Sequence, residues 1–306
     1  MCRGNIEMYF LPIEVWQLIL NWLSYSDQLS LIMSSQLFRR RLKMCNLSLR
    51  IWQLILNRSC LPDQVSLTMI CKLFHQRLKI INFCHIDEKY ICRLTDDILT
   101  KYANIKYLDV YGLKNVTDNG IKHLKLEELD ASSNSCGISD AGIINQPLKK
   151  LIVKYNKKVT DNSIKLLSTL KSLDISYNDN VTNVGLKNLN LDELYLDNNK
   201  SVTDEGIKHL NLSLLHAPGT CKITDDGIQH MTNLRILNAC GNENITDTGI
   251  KHLNLVKLNI SWNNNISNDG LRLMQLTHLV KYGNHKITAD GFKHIDLVNL
   301  LIEGHI

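Results

Sequence analysis

A nine-residue motif recurs at a nearly constant spacing through most of the chain. Its form is (I/V)-(T/S)-(D/N)-x-G-(I/L)-K-x-L, with substitutions, and successive copies begin 21 or 22 residues apart. So regular a period predicts a solenoid, in which each unit packs only against its neighbours. The copies begin at Leu94, Val116, Ile138, Val159, Val181, Val202, Ile223, Ile245, Ile266 and Ile287.

One unit, ITDTGIKHLNLVKLNISWNNN, indicates which elements each repeat forms. Thr246 stands where a helix N-cap belongs, and the carboxylate of Asp247 suits the first turn of a helix. Farther along, Leu258 and Ile260 alternate with polar Asn259 and Ser261, as inward and outward residues of a β-strand do. The sequence therefore predicts an α/β chain with stacked parallel strands on one side and short helices on the other.

Asparagine recurs five residues after the strand leucine in most units. A buried amide needs hydrogen-bond partners, so this position is predicted to bond backbone groups of its own and adjacent units rather than to serve in catalysis. The position holds Asn134, Asn156, Asn178, Asn199, Thr220, Asn242, Asn263 and Asn284.

Residues 94–306 resemble leucine-rich repeats, through the pattern LxxLxLxxN combined with ITDxGIKxL. They are most similar to the cysteine-containing type found in F-box proteins, although the units are shorter and Asn replaces the regular cysteine. The resemblance implies a leucine-rich-repeat solenoid of horseshoe form, with a parallel inner sheet and short outer helices.

The N-terminal part holds a second repeat, because the hexapeptide WQLILN occurs at residues 16–21 and again at 52–57. Residues 15–44 match residues 51–80 at 16 of 30 positions, which indicates a tandem duplication. Apolar residues at helical spacing predict three short helices per copy, too few to bury a core of their own. Such a module either caps the solenoid or docks a partner.

The first copy is similar to the F-box in the pattern L-P-x-E-V-x-x-x-I-x-x-x-L-x-x-x-D, read from Leu11 to Asp27. The later V-C-x-x-F/W element is better kept in the second copy, from Ile70 to Phe74. We interpret the first copy as the docking module and the second as a degenerate spacer or repeat cap; a duplication without a selected role is the alternative. The F-box family binds a Skp-type adaptor, and the resemblance assigns adaptor binding to Leu11, Pro12, Val15, Ile19, Leu20, Leu23 and Phe38.

Three segments follow from these patterns. Residues 1–45 are predicted to form a small all-α F-box-like module, and 46–90 a degenerate second copy that serves as linker and N-terminal cap. Residues 91–306 are predicted to form a solenoid of about ten 21–22-residue units. In the last unit Leu297, Leu300 and Ile302 have no polar helix to cover them, so this unit is expected to fray or to self-associate.

An F-box followed by leucine-rich repeats implies a substrate-recognition subunit of a Skp–cullin–F-box-type ubiquitin ligase. Such a subunit is not an enzyme: it holds the adaptor, and through it a cullin, and presents an unknown target protein. The alternatives are a stand-alone interaction module and an adaptor-binding decoy. The target is expected to bind the inner wall of the solenoid, where Tyr and Trp make good anchors. Tyr155, Tyr177 and Trp262 share a register there that predicts an aromatic band. The predicted target-binding residues are Asp130, Lys154, Tyr155, Asp174, Tyr177, Tyr195, Asp197, His216, Asn238, Asn259, Trp262 and Tyr282.

Charge and composition argue against several other functions. The net charge of +5 lies in residues 1–90, with 11 Lys/Arg and 6 Asp/Glu, whereas residues 91–306 hold 24 of each, so the repeats are not expected to bind nucleic acid. Nine scattered cysteines without a signal peptide indicate an intracellular protein, cytoplasmic or nuclear, and no apolar stretch is long enough for a membrane span. No cofactor or metal is expected, because the repeated histidines lie one per unit without a second ligand: His123, His209, His230, His252 and His294.

Overall fold

A computed structural model describes residues 80–81, 95–293, 295 and 299–301 of the 306-residue chain. The chain divides into two compact units, residues 1–77 and 78–306. All described residues belong to the second unit, so the adaptor-binding residues predicted between Leu11 and Phe38 lie outside them. Among the described residues, no helix is long and apolar enough to cross a membrane.

Eleven parallel strands of the described residues form one sheet, whose spatial order is the order of the chain. The register is constant, since the middle leucine of each three-residue strand pairs with that of the next, as Leu108 does with Leu129 and Leu129 with Leu151. This confirms the predicted stack of parallel strands. The strands are β1 (Ile80–Ile81), β2 (Tyr107–Asp109), β3 (Glu128–Asp130), β4 (Lys150–Ile152), β5 (Ser172–Asp174), β6 (Glu193–Tyr195), β7 (Leu214–His216), β8 (Ile236–Asn238), β9 (Lys257–Asn259), β10 (His278–Val280) and β11 (Asn299–Leu301).

Within the part of the chain that the structure describes, ten four-residue helices alternate with strands β2 to β11, and each begins two residues after a motif start. The Thr or Ser before the helix has an extended backbone, and in seven helices its hydroxyl accepts the N–H two residues on, as Thr246 does from Thr248 at 3.1 Å. The predicted N-cap role of Thr246 is confirmed. The helices are α1 (Asp96–Leu99), α2 (Asp118–Ile121), α3 (Asp140–Ile143), α4 (Asp161–Ile164), α5 (Asn183–Leu186), α6 (Asp204–Ile207), α7 (Asp225–Ile228), α8 (Asp247–Ile250), α9 (Asn268–Leu271) and α10 (Ala289–Phe292).

In most units, the Asp or Asn that follows the N-cap residue accepts hydrogen bonds from the N-cap residue of the next unit. Asp161 Oδ1 accepts the backbone N–H of Thr182 at 2.7 Å, and Asp161 Oδ2 accepts the Thr182 hydroxyl at 2.7 Å. The same pair of bonds joins Asp118 to Ser139. Gly142 then lies so close to the Asp118 carboxylate that a Cβ there would clash with it. The T-D-x-G part of the motif is thus a contact between units, in addition to a helix start.

The core lies between sheet and helices, and its side chains recur with the repeat. Leu258 and Ile260 are buried, as predicted, and so is Ile250 of the preceding helix. Burial of one such aliphatic side chain contributes about 1.5–3 kcal/mol. Because three-residue strands and one-turn helices have few internal hydrogen bonds, this stacking between units, rather than local propensity, stabilises the fold.

The asparagine position forms a second link between units. Asn178 is fully buried; its Nδ2 donates to Asn156 O at 2.7 Å and to Val159 O at 3.2 Å, and its Oδ1 accepts the Asn180 N–H at 3.1 Å. Equivalent bonds are made by Asn156, Asn199, Asn242, Asn263 and Asn284. The predicted ladder is confirmed at these six positions.

At two positions the ladder prediction is wrong. Asn134 and Thr220 are exposed, and buried Cys136 and Cys221 occupy the slot instead. The Cys136 thiol donates to Val110 O at 3.8 Å, the counterpart of the bond from Asn156 to Ala131 O. The cysteine characteristic of related repeats is therefore present in these two units, displaced by one or two residues along the turn.

The boundaries predicted at 45/46 and 90/91 stay predictions. The sheet begins with β1, inside the segment 46–90 that the sequence assigns to a linker and cap. At the other end, β11 pairs with β10 along its three residues. That the last unit frays or self-associates stays a prediction.

Candidate functional site

The candidate site is the face of the sheet that points away from the helices. Counted from the first residue of a strand, positions 2 and 4 are buried in the strands β2 to β9, and in β10 position 4 is the partly exposed Lys281. Positions 3 and 5 alternate to the open face, and position 6 begins the turn after the strand. The twelve predicted target-binding residues all fall in these rows. Asp130, Asp174, Tyr195, His216, Asn238 and Asn259 are at position 3; Lys154, Asp197 and Tyr282 at position 5; Tyr155, Tyr177 and Trp262 at position 6.

Position 3 carries a local hydrogen bond that shapes the end of the strand. The Oδ1 of Asp130 accepts the N–H of Ser132 at 2.9 Å. Asn259 makes the same bond to Ser261 at 3.0 Å, two residues on. An Asp or Asn side chain that accepts this N–H stabilises a turn after the strand. The position-3 residues that make this bond thus have a structural task that either residue type can perform: Asp109, Asp130, Asp174, Asn238 and Asn259.

Charged groups gather on the strands β2 to β6. Lys154 Nζ lies 3.0 Å from Asp174 Oδ2, and Asp197 Oδ2 lies 3.2 Å from His216 Nδ1. Partial burial of Lys154 lowers its pKa, but the hydrogen bond to Asp174 and the charge of Asp174 raise it by more. The pKa of Lys154 is therefore raised, and its ammonium group is charged at neutral pH. Burial raises the pKa of Asp130, because the ionised carboxyl loses hydration there.

Position 6 is where the backbone turns through the left-handed region. The φ angle is +59° at Tyr155, +58° at Tyr177 and +59° at Trp262, and Gly112, Gly241 and Gly283 are also positive there. Large side chains rarely adopt this conformation, which costs about 1–2 kcal/mol relative to glycine. The sequence gives no direct sign of this backbone state, although the glycines found at the same position in other units are an indirect one.

The aromatic residues of the predicted band share a register but lie in two separate groups. The rings of Tyr155 and Tyr177 stack with centroids 4.3 Å apart. Trp262 is four strands farther along and contacts Tyr282 edge to face at 4.9 Å. Asn198, Gly219 and Gly241 occupy position 6 between the two groups, so no ring bridges them. All four aromatic residues are exposed.

Other chemistry on the described residues is limited. They contain no group of three or more His, Cys, Asp or Glu placed to hold a metal ion. His123, His230 and His252 each contact a backbone carbonyl of the preceding unit, at 2.8, 3.2 and 2.6 Å. These three histidines are therefore contacts between units as well as surface groups, a role that the sequence analysis missed.

Comparison with protein-family models identifies domains in both the N-terminal part and the repeat part of the chain. The F-box domain model matches residues 9–50, and a leucine-rich-repeat model matches residues 166–189 and 251–274. No curated protein sequence matches the chain significantly.

Three solved structures are similar to part of the chain. The chain is similar to a TLR13–ssRNA13 complex (22% identity, TM-score 0.48, covering 73% of this chain and 36% of that one). It is also similar to an internalin of Listeria monocytogenes (20%, 0.42, 68% and 70%) and to the Rad7 and Elc1 complex in yeast (16%, 0.37, 68% and 84%). The chain thus spans about a third of the length of the first of these.

Proposed function

Since the chain joins an F-box domain to leucine-rich repeats, as F-box/leucine-rich-repeat proteins do, we propose that it is a substrate-recognition subunit of a Skp–cullin–F-box-type ubiquitin ligase. The F-box match at residues 9–50 carries the proposal. It covers the first copy of the duplicated module, which holds the predicted adaptor-binding residues, and it stops before the second WQLILN at 52–57.

In this proposal the chain is a protein-interaction subunit and not an enzyme. Its F-box docks a Skp-type adaptor, which connects to a cullin, and the open face of the repeat sheet binds a target protein. The acceleration of ubiquitin transfer then comes from proximity, because the assembly holds the target near the transferring enzyme. Exposed tyrosine and tryptophan on a regular sheet suit the target-binding role.

The duplicated hexapeptide supplies a matched pair of variants for the docking step. The full chain is co-expressed with a Skp-type adaptor, and the adaptor retained on the purified chain is measured. We expect Ile19→Ala/Leu20→Ala to reduce the affinity at least about tenfold, since each anchor buried at an interface contributes about 1–3 kcal/mol. Ile55→Ala/Leu56→Ala makes the same change in the second copy and is expected to retain the adaptor.

Each outcome separates two functions. Equal retention by both variants, with circular dichroism unchanged, would contradict docking through the first copy. A wild-type chain that retains no adaptor would favour the stand-alone interaction module. A chain that retains the adaptor but excludes the cullin, or whose removal leaves ubiquitination of a bound protein unchanged, would favour the decoy.

A further inference from the structure

The charge on the open face of the sheet is uneven along the solenoid. On the strands β2 to β6 and the residues directly after them, positions 3 and 5 carry four carboxylates and one cation, Lys154. The same positions after β8 and β9 are neutral: Asn238, Cys240, Asn259 and Ser261. We call the first region the acidic half, defined by Asp109, Asp130, Asp174 and Asp197 together with the exposed rings of Tyr155 and Tyr177. Asp109 and Asp174 are buried and contribute to the surface through their charge, whereas Asp130 and Asp197 are partly exposed and can be contacted directly.

The fold does not require the negative charge at position 3. Asp109, Asp130 and Asp174 each accept the N–H of the residue two positions on, at 2.9, 2.9 and 3.1 Å. Asn238 and Asn259 accept the equivalent N–H at 3.0 Å each. Because the neutral amide makes this bond equally well, these three carboxylates bring a charge that the turn itself does not use.

That charge opposes folding at one of these positions at least. Burial raises the pKa of Asp130, which means that its ionised form is less favourable in the folded chain than in water. The nearby Asp109 and Asp174 act in the same direction. A charge that stabilises neither the turn nor the folded state is typical of a residue whose role is to bind something else.

The tyrosine pair is also not required by the fold. Position 6 accepts glycine in several units and Asn198 in the unit directly after Tyr177, at φ +49°. Glycine and asparagine adopt this backbone conformation more readily than tyrosine does. The two stacked rings nevertheless occupy it, with 41% of Tyr155 and 39% of Tyr177 exposed, beside the carboxylates.

We propose that the acidic half binds an extended, lysine- and arginine-rich segment of the target protein, an inference that rests on the proposed function. A guanidinium group pairs with a carboxylate through two hydrogen bonds and also stacks on a tyrosine ring. The partly exposed Asp130 and Asp197, together with the tyrosine pair, offer both contacts. The four spacings from β2 to β6, at about 4.8 Å each, span about 19 Å, the length of about six extended residues.

The chemistry of the surface also selects against other partners. Four carboxylates against one ammonium group repel the phosphates of a nucleic acid and the side chains of an acidic peptide. Lys154 and His216 lie beside Asp174 and Asp197, so an incoming cation competes with these groups for part of the charge. Asp130 and the tyrosine pair are therefore the expected centre of the contact.

The test uses the full chain with its adaptor and a fluorescent peptide of six to eight residues that alternates arginine with serine. The decisive variant is Asp130→Asn/Asp174→Asn, which keeps both turn bonds and removes two charges. It also leaves Lys154 without its ion pair, so that the lysine ammonium group opposes binding of a cationic peptide in the same direction. Its control is Asp97→Asn/Asp226→Asn, which removes two exposed charges from helices α1 and α7. We expect fluorescence anisotropy to show about tenfold weaker binding for the first pair and less than a twofold change for the control.

A second variant tests the rings. Tyr177→Asn places in this unit the residue that the next unit has at the same position, so the turn is preserved while the stacked pair is lost. We expect it to weaken peptide binding by about threefold to tenfold. Equal binding of the peptide by all variants, or tighter binding of a glutamate–serine peptide or of single-stranded RNA, would overturn the inference.

Adaptor retention is measured on the same preparations. If the adaptor is retained and the peptide variants bind alike, the proposed function stands and this inference fails. If the wild-type chain retains no adaptor, the proposed function fails whatever the peptide does.

Discussion

The asparagine ladder makes a quantitative prediction at Asn178. Replacement by alanine removes two donated bonds, to Asn156 O and Val159 O, and one accepted bond, from the Asn180 N–H. Asn178 is 0% exposed, so Val159 O and the Asn180 N–H lose this partner in the interior, whereas Asn156 O keeps the N–H of Val159 at 3.3 Å. Each buried polar group left without a partner costs about 1–3 kcal/mol, and partial entry of water into the space reduces the sum. We expect Asn178→Ala to destabilise the stack by roughly 3–5 kcal/mol.

Hydrogen exchange measured by mass spectrometry on the full chain is the suitable assay, because a repeat stack need not unfold in one step. Amides of β4 to β6 are expected to exchange faster by about two to three orders of magnitude, with smaller effects farther along the stack. The control is Asn180→Ala, which removes a bond to Lys157 O at the exposed surface and is expected to cost under about 1 kcal/mol. Equal protection in the two variants would refute the assignment of the ladder as an energetic link.

Two further predictions concern ionisable groups. Because burial raises the pKa of Asp130, the charge of its carboxylate lowers the stability of the folded chain at neutral pH. Asp130→Asn is therefore expected to unfold at a higher urea concentration than wild type at pH 7. This difference in stability is expected to shrink as the pH falls through the raised pKa towards the ordinary value of 3.8. A difference that is independent of pH would contradict this explanation. Burial raises the pKa of Cys136 and of Cys221 to about 11, so both thiols are expected to resist iodoacetamide at pH 8 until the chain unfolds, whereas Cys240, which is partly exposed, reacts earlier. Peptide mapping after timed alkylation measures the order, and early labelling of either buried thiol would count against its place in the ladder.

The sequence by itself predicts the solenoid, because the period is written in every unit. A cap such as Thr246 and a core residue such as Leu258 depend only on their immediate neighbours in the chain and on the repeat length. Their places could therefore be read without knowledge of any contact. The rows of the open face follow for the same reason, since alternation along a strand decides which side chains face away from the helices.

Only the tertiary structure shows the features that depend on the length of each turn. Counting a fixed five residues from the strand leucine selects Asn134 and Thr220 for the ladder, but the chain path after β3 and β7 places Cys136 and Cys221 there. The left-handed backbone at Tyr155 and the interruption between Tyr177 and Trp262 likewise depend on how each turn closes. A period fixes positions along the chain only as long as every unit has the same shape.

Contacts between units were also beyond the reach of the sequence pattern. Asp161 could be recognised as a helix-start residue, but its carboxylate is bound by Thr182 of the next unit, 21 residues away. The conserved spacing of the motif is compatible with either role, because both recur once per unit. The sequence determined which residues repeat, and the stacking of neighbouring units, which brings a carboxylate against the next cap, decided what those residues do.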